Sequence, residues 1–147
     1  RSSDLNDLLG GDKLKGSIQG ECHRIVHCKG ALKSLSESLK SVTPAKKQKS
    51  MLISLTLQLE RLVSGKRTPD LSARKEGVLP SLNGKPAKNF WAIKKIPIRG
   101  YYWESDRHDM TFFMSHYIYK DFDRLDDADV QKVRNNWERI ERGCDDC

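Results

Sequence analysis

The sequence predicts an α+β fold in which a small, mostly antiparallel sheet packs against a helical hairpin, with a helix at the C-terminus. Three observations predict it. A short strand-like run is followed by two segments of helical periodicity, three closely spaced strand-like runs follow a stretch rich in Gly and Pro, and an amphipathic segment comes last. The predicted order of elements is therefore β-α-α-β-β-β-α.

The first strand and the hairpin follow from local patterns. Glu21–Cys28 is short, holds β-branched residues and lies between glycines, which predicts a strand. From Ala31 to Val42 the apolar residues recur at helical spacing. Thr43 and Pro44 then predict the start of a second helix, whose apolar positions are Met51, Leu52, Leu55, Leu59 and Leu62. Two helices joined by a tight corner form a helical hairpin.

The second half of the chain predicts a meander and a final helix. Residues 66–88 contain three Pro and two Gly and are expected to form a loop. Aromatic and β-branched runs separated by short polar turns then predict three antiparallel strands, at Phe90–Lys94, Ile98–Glu104 and Met110–Tyr119. The final helix is predicted from acidic residues at its start and from an apolar stripe along it. The acidic residues are Asp126, Asp127 and Asp129, and the stripe is formed by Val130, Val133, Trp137 and Ile140.

Length and composition are those of one soluble domain. The 147 residues are 37% hydrophobic and 32% charged, which suits a single domain with its own core. No apolar run approaches the roughly 20 residues of a membrane span, and the first residues lack the apolar core of a secretory signal. We expect a cytoplasmic protein without membrane contact, with a flexible arm over residues 1–20, one domain over 21–143 and a tail over 144–147.

The four cysteines do not predict a metal site. Cys144 and Cys147 have zinc-compatible spacing, but a lone C-x-x-C in a charged tail is a weak signal. The gap between Cys22 and Cys28 is not that of a usual zinc motif. We therefore expect thiols rather than metal ligands, and no cofactor.

Positive charge is concentrated in one part of the chain. Residues 13–99 hold 19 Lys and Arg against 5 Asp and Glu, a balance of +14, whereas residues 100–147 have a balance of −5. A basic block of this kind suits a polyanion, because neutralised phosphates supply most of the sequence-independent affinity for nucleic acid. Lysine-rich helices also occur as merely solvated faces, so charge alone leaves both interpretations open.

Three local features resemble the RelE/HigB family of bacterial toxins over residues 21–142. Asn89–Lys94 and Ile98–Glu104 are similar to the two central strands of that family. Thr111–Lys120 is similar to its last strand, and Lys120–Val130 to the turn that leads into its final helix. These features occur in the family's order, after a basic loop.

The resemblance implies a toxin endoribonuclease that cleaves messenger RNA, on the ribosome, by metal-independent transesterification and so inhibits translation. It also implies an antitoxin protein as partner. Matched to the family's pattern, the candidate catalytic residues are Lys94, Arg99, His116, Tyr119 and Lys120. Cations can stabilise the phosphorane, while a His, Tyr or Lys can transfer protons. The RNA-binding candidates are Lys46, Lys47, Lys49, Lys95 and Arg107.

Two alternatives stay open. A non-catalytic RNA- or ribosome-binding module would use the same basic surface, and a ParE-like relative would bind gyrase without cutting RNA. Convergence of Lys94, Arg99, His116 and Lys120 on one concave site favours the nuclease, whereas dispersal favours a binding protein. The run Tyr101–Trp103 either stacks on bases or belongs to the core.

Overall fold

A six-stranded sheet and three helices form the part of the chain that the computed structural model describes, residues 17–20, 22–64, 74–79, 89–95, 97–105, 108–119 and 127–142. The strands are β1 (Ser17–Gln19), β2 (Arg24–His27), β3 (Arg74–Val78), β4 (Asn89–Lys95), β5 (Ile98–Glu104) and β6 (Thr111–Tyr119). The helices are α1 (Ala31–Lys40), α2 (Lys46–Val63) and α3 (Asp127–Glu141). The predicted α+β class and the predicted order of its seven elements are confirmed.

The strand order in the sheet is β1-β2-β6-β5-β4-β3. Neighbouring strands are antiparallel except for β2 and β6, which are parallel. A parallel pair needs a long connection, and here the connection contains the helical hairpin and most of the meander. The first predicted strand therefore lies beside the last one, inside the sheet.

Helices cover both faces of this sheet. The α1–α2 hairpin packs its apolar positions against Ile25, Ile93, Ile98, Tyr102, Met114 and Tyr117. On the opposite face α3 packs Val133, Trp137 and Ile140 against Phe90, Ala92, Tyr101, Trp103 and Phe113. Successive residues of a strand point to opposite faces, so β5, between two neighbours and two helical layers, is buried from Ile98 to Trp103. The aromatic run Tyr101–Trp103 is confirmed as core.

Two strands lie where the sequence does not predict them. β1 is inside the predicted arm, and β3 is inside the predicted loop over residues 66–88, so the loop prediction is wrong at Arg74–Val78. Both strands are at the edges of the sheet and gain backbone partners from β2 and β4. A sequence such as Arg-Lys-Glu-Gly-Val has little strand propensity of its own, and the exposed edge of β4 supplies the pairing.

The second helix also starts later than predicted. α2 begins at Lys46, whereas Thr43 and Pro44 belong to the preceding corner. Lys47 N donates to Pro44 O at 2.9 Å and Gln48 N to Ala45 O at 3.0 Å, which are the i→i+3 bonds of a tight turn. The helix ends at Val63.

No helix in the described ranges is long and apolar enough to cross a membrane.

β5 and β6 approach each other so closely at Gly100 that a larger residue is expected to clash there. A Cβ atom there would lie 2.6 Å from Cε2 of Tyr117 and 2.9 Å from Cε of Met114. The Tyr117 ring is buried and its hydroxyl is hydrogen-bonded, so it has little room to move. We expect Gly100→Ala to lower the free energy of unfolding by about 1–3 kcal/mol in urea denaturation.

The matched control for that measurement is Lys132→Ala, an exposed position on α3. We expect it to stay within about 0.5 kcal/mol of wild type. Equal stabilities of the Gly100→Ala protein and the control would contradict this account of the β5–β6 contact.

Candidate functional site

A bulge in β6 decides where His116 lies. Tyr101 pairs with His116 and Tyr102 pairs with Met114, so Ser115 is an extra residue between them. A bulge of this kind places two residues of one strand opposite one residue of its neighbour. Beyond it the alternation of faces is reversed, and His116 shares the α3 face with Phe113 and Ile118 instead of continuing the series from Phe112 and Met114.

His116 forms the centre of a buried polar cluster under α3. Its Nε2 lies 3.0 Å from Oδ1 of Asp129, and its Nδ1 lies 2.8 Å from Oγ of Ser115. Asn136 Nδ2 donates to the same Oγ at 2.9 Å. Because an ionised carboxylate only accepts, Nε2–H donates to Asp129, and in the neutral imidazole Nδ1 accepts from the Ser115 hydroxyl.

Burial gives this cluster a structural role. His116 is 2% exposed and Ser115 is 1% exposed. Both ring nitrogens have partners, and the Tyr101 ring lies 5.2 Å away between centroids. A serine, a histidine and an aspartate in line resemble a nucleophilic triad, but a substrate has no access to this serine. The cluster joins the first turn of α3 to β6.

The predicted cations Lys94 and Arg99 lie near this cluster. They are register partners on β4 and β5, and Arg99 also pairs with Ile118 of β6. Their strand neighbours Ile93 and Ile98 belong to the hairpin core, so Lys94 and Arg99 occupy the α3 face, one row from Tyr101 and His116. Arg99 is 1% exposed and Lys94 is half-buried.

Of the remaining predicted catalytic residues, Tyr119 does not join this group. Tyr119 is 45% exposed and pairs with Ile98, which places it on the hairpin face of the sheet. Lys120 and Arg107 lie outside the described residues. The structure therefore brings Lys94, Arg99 and His116 to one face and Tyr119 to the other. Since Arg99 and His116 are covered, these side chains do not form an open site.

The predicted RNA-binding lysines, in contrast, are all exposed where the structure describes them. Lys46, Lys47 and Lys49 occupy the first turn of α2, and Lys95 ends β4. The first turn contains no acidic residue, and Ala45 provides no side-chain cap. The helix N-terminus and three ammonium groups thus combine into one positively charged surface.

α2 contacts the sheet at two places behind its first turn. At its C-terminal end Val63 O accepts from Cys22 N and His23 N, just before β2. Further back, Gln58 Nε2 donates to Lys94 O at 2.9 Å. Lys46 lies about 18 Å beyond Gln58 along the helix axis, on the side away from Val63.

A second histidine that is buried in the described part of the sheet, His27, is structural. His27 Nε2 lies 2.8 Å from the Tyr117 hydroxyl. Burial raises the pKa of Tyr117 above its ordinary value, so the phenol is neutral at physiological pH, and its hydrogen bond to His27 holds both side chains in place.

The thiols provide no metal cluster in the described ranges. There Cys22 is exposed and Cys28 is buried, and neither is joined by a disulfide. No group of three His, Cys, Asp or Glu side chains in the same ranges could hold a metal ion. Cys144 and Cys147 lie outside those residues.

No protein-family model, curated protein or solved structure matches this chain. The RelE/HigB toxin assignment therefore stays a prediction that depends on the motifs quoted above.

Sequence reasoning missed Ser115, Asp129 and Asn136 as partners of His116. Asp129 was expected only to complement the start of α3, and it does lie in the first turn, but its carboxylate is also a hydrogen-bond acceptor inside the protein. The sequence of residue types along β6 does not indicate that its register shifts at Ser115. No local signal could have revealed this cluster.

If the hydrogen bonds of His116 hold α3 against the sheet, replacing His116 should destabilise the fold. We expect His116→Ala to lower the free energy of unfolding by about 2–4 kcal/mol, because it leaves Asp129 and Ser115 without their partner under α3. Urea denaturation followed by circular dichroism measures it. Tyr119→Ala, at an exposed position of the same strand, should change stability by less than about 0.5 kcal/mol, and similar losses in both variants would argue against the cluster.

Proposed function

We propose that this protein binds RNA through the basic surface of its helical hairpin. The observation that carries the proposal is the first turn of α2, where Lys46, Lys47 and Lys49 are all exposed and no acidic residue is present. Phosphate groups fit such a surface, because a helix N-terminus and ammonium groups both attract anions.

Three lysines in the first turn are unfavourable for the stability of α2 on its own. Cations near a helix N-terminus oppose the helix dipole, and acidic residues or a capping side chain usually stand there. α3 follows that rule with Asp127 and Asp129 in its first turn, whereas α2 has three lysines. A bound polyanion would remove this repulsion, which supports a ligand of negative charge.

The rest of the hairpin extends the same surface. Lys33 and Lys40 of α1 are exposed, and Glu37 is the one acidic residue between positions 31 and 59. Lys95 adds a cation at the end of β4, on the side of the sheet that the hairpin covers. An RNA chain on this side would meet positive charge along its path.

Binding is supported better than cleavage. In the toxin mechanism that the resemblance implies, Arg99 and His116 would have to reach the scissile phosphate and the attacking hydroxyl. Both are buried, and His116 lies beneath α3. Endoribonuclease activity, the ribosome and an antitoxin partner therefore remain proposals from the resemblance, and the non-catalytic module is the function that the geometry favours.

Replacing two lysines of this surface with alanine tests the proposed RNA binding. We expect Lys46→Ala/Lys47→Ala to weaken binding of a fluorescent single-stranded RNA at least about fivefold, measured by anisotropy. The slope of log affinity against log salt should also fall by about 0.7 for each lost phosphate contact.

The matched control is Lys132→Ala/Arg142→Ala, which removes the same charge from exposed positions of α3. It should keep most of the affinity. Equal weakening in both double variants would mean that net charge alone governs binding, and unchanged affinity in the first would refute the proposed surface.

A cleavage assay separates the two RNA functions. We expect labelled RNA to stay intact when it is incubated with wild-type protein, with or without a chelator, because the candidate catalytic residues Arg99 and His116 are buried. Chelator-resistant cleavage that is lost in folded Arg99→Ala protein would instead establish the nuclease.

A further inference from the structure

One tryptophan of this protein is not used in the core. Trp103 is 0% exposed and Trp137 is 3% exposed, whereas Trp91 is 38% exposed. Its neighbours on β4, Phe90 and Ala92, are fully buried. A large aromatic side chain normally contributes much apolar area to folding, so an indole left partly open in the middle of a strand provides a surface for something else.

Trp91 lies on the same side of the sheet as the basic hairpin. By strand alternation it shares a face with Ile93 and Lys95, and Ile93 belongs to the hairpin core. Lys95 is exposed and lies about 13 Å further along β4. α2 is tied to the same strand by the Gln58 hydrogen bond to Lys94 O.

An exposed indole with cations along its strand has the chemistry of a base-stacking site. Single-stranded nucleic acids are bound by combining positive charge for the backbone with aromatic rings for the bases. In a duplex the bases stack on one another and their faces are closed, so an indole on a sheet selects unpaired nucleotides. Trp91 lies within the Asn89–Lys94 segment but is not among the predicted RNA-binding residues.

We propose that Trp91 stacks on an unpaired nucleobase of the RNA whose phosphates contact Lys95 and the lysines of α2. This inference rests on the proposed function and narrows its ligand to single-stranded RNA. Lys46, Lys47 and Lys49 supply affinity for any polyanion, while Trp91 supplies the preference for chains that carry accessible bases.

The wild-type protein contains its own reporter for this contact. Since Trp103 and Trp137 are buried, a quencher in solution acts mainly on Trp91. Titration with an oligouridylate should quench the tryptophan fluorescence and protect the remaining emission from acrylamide. A sugar-phosphate oligomer of the same length without bases should bind without quenching, and an RNA duplex should quench little.

Variants then separate stacking from charge. We expect Trp91→Ala to weaken oligouridylate binding by about tenfold, which is within the range for loss of one stacked base, and to leave the affinity for the abasic oligomer unchanged. Trp91→Phe should retain part of the difference. Ile53→Ala, at another exposed apolar residue, on α2, should change neither affinity.

The outcomes distinguish this inference from the function on which it rests. If wild-type fluorescence is unaffected by oligouridylate, or if duplex and single strand bind equally well, stacking on Trp91 is overturned. If the lysine double variant still weakens binding in that case, RNA binding by the hairpin stands without it. The wild-type titration decides the point even if Trp91→Ala does not fold.

Discussion

The sheet of this protein must be covered on both faces, and the other features of the fold follow from that constraint. β5 and β6 carry large side chains in both directions: Tyr102 and Met114 towards the hairpin, Trp103 and Phe113 towards α3. Leaving either face open would expose several aromatic rings to water, at about 25 cal/mol for each Å² of apolar surface. The hairpin and α3 are therefore both needed, and the residues between them become interior.

Because both faces of the sheet are buried, some polar side chains are buried as well. Hydrogen bonds that satisfy two of these groups fix the position of α3 along its axis. Near its start Asp129 accepts from His116, and at its end Glu141 accepts from Ser105 at 2.7 Å. Apolar packing does not specify position along a helix axis closely, whereas two directional contacts about 18 Å apart do. The bulge at Ser115 is what turns His116 towards the first of these contacts.

The proposed RNA-binding surface lies on the hairpin side of the sheet, opposite α3. The hairpin buries most of its leucines and presents its lysines to solvent. The first turn of α2 contains no acidic residue, which leaves that charge uncompensated within the described structure. The same side of the sheet carries the exposed indole of Trp91. Core stability and ligand binding thus depend on different faces of the same elements, so a lysine can be exchanged without disturbing the packing.

The sequence by itself determined the secondary structure of seven elements and the location of the positive charge, because periodicity and net charge are properties of neighbouring residues. The limits of β5 were predicted residue for residue, and the lysines predicted for α2 are exposed. Only the tertiary structure decided that β1 and β3 extend the sheet, that Ser115 forms a bulge, and that Arg99 and His116 are buried. Each of these depends on a partner far away in the chain, such as Asp129 for His116 or β4 for β3, and local residue patterns contain no record of such partners.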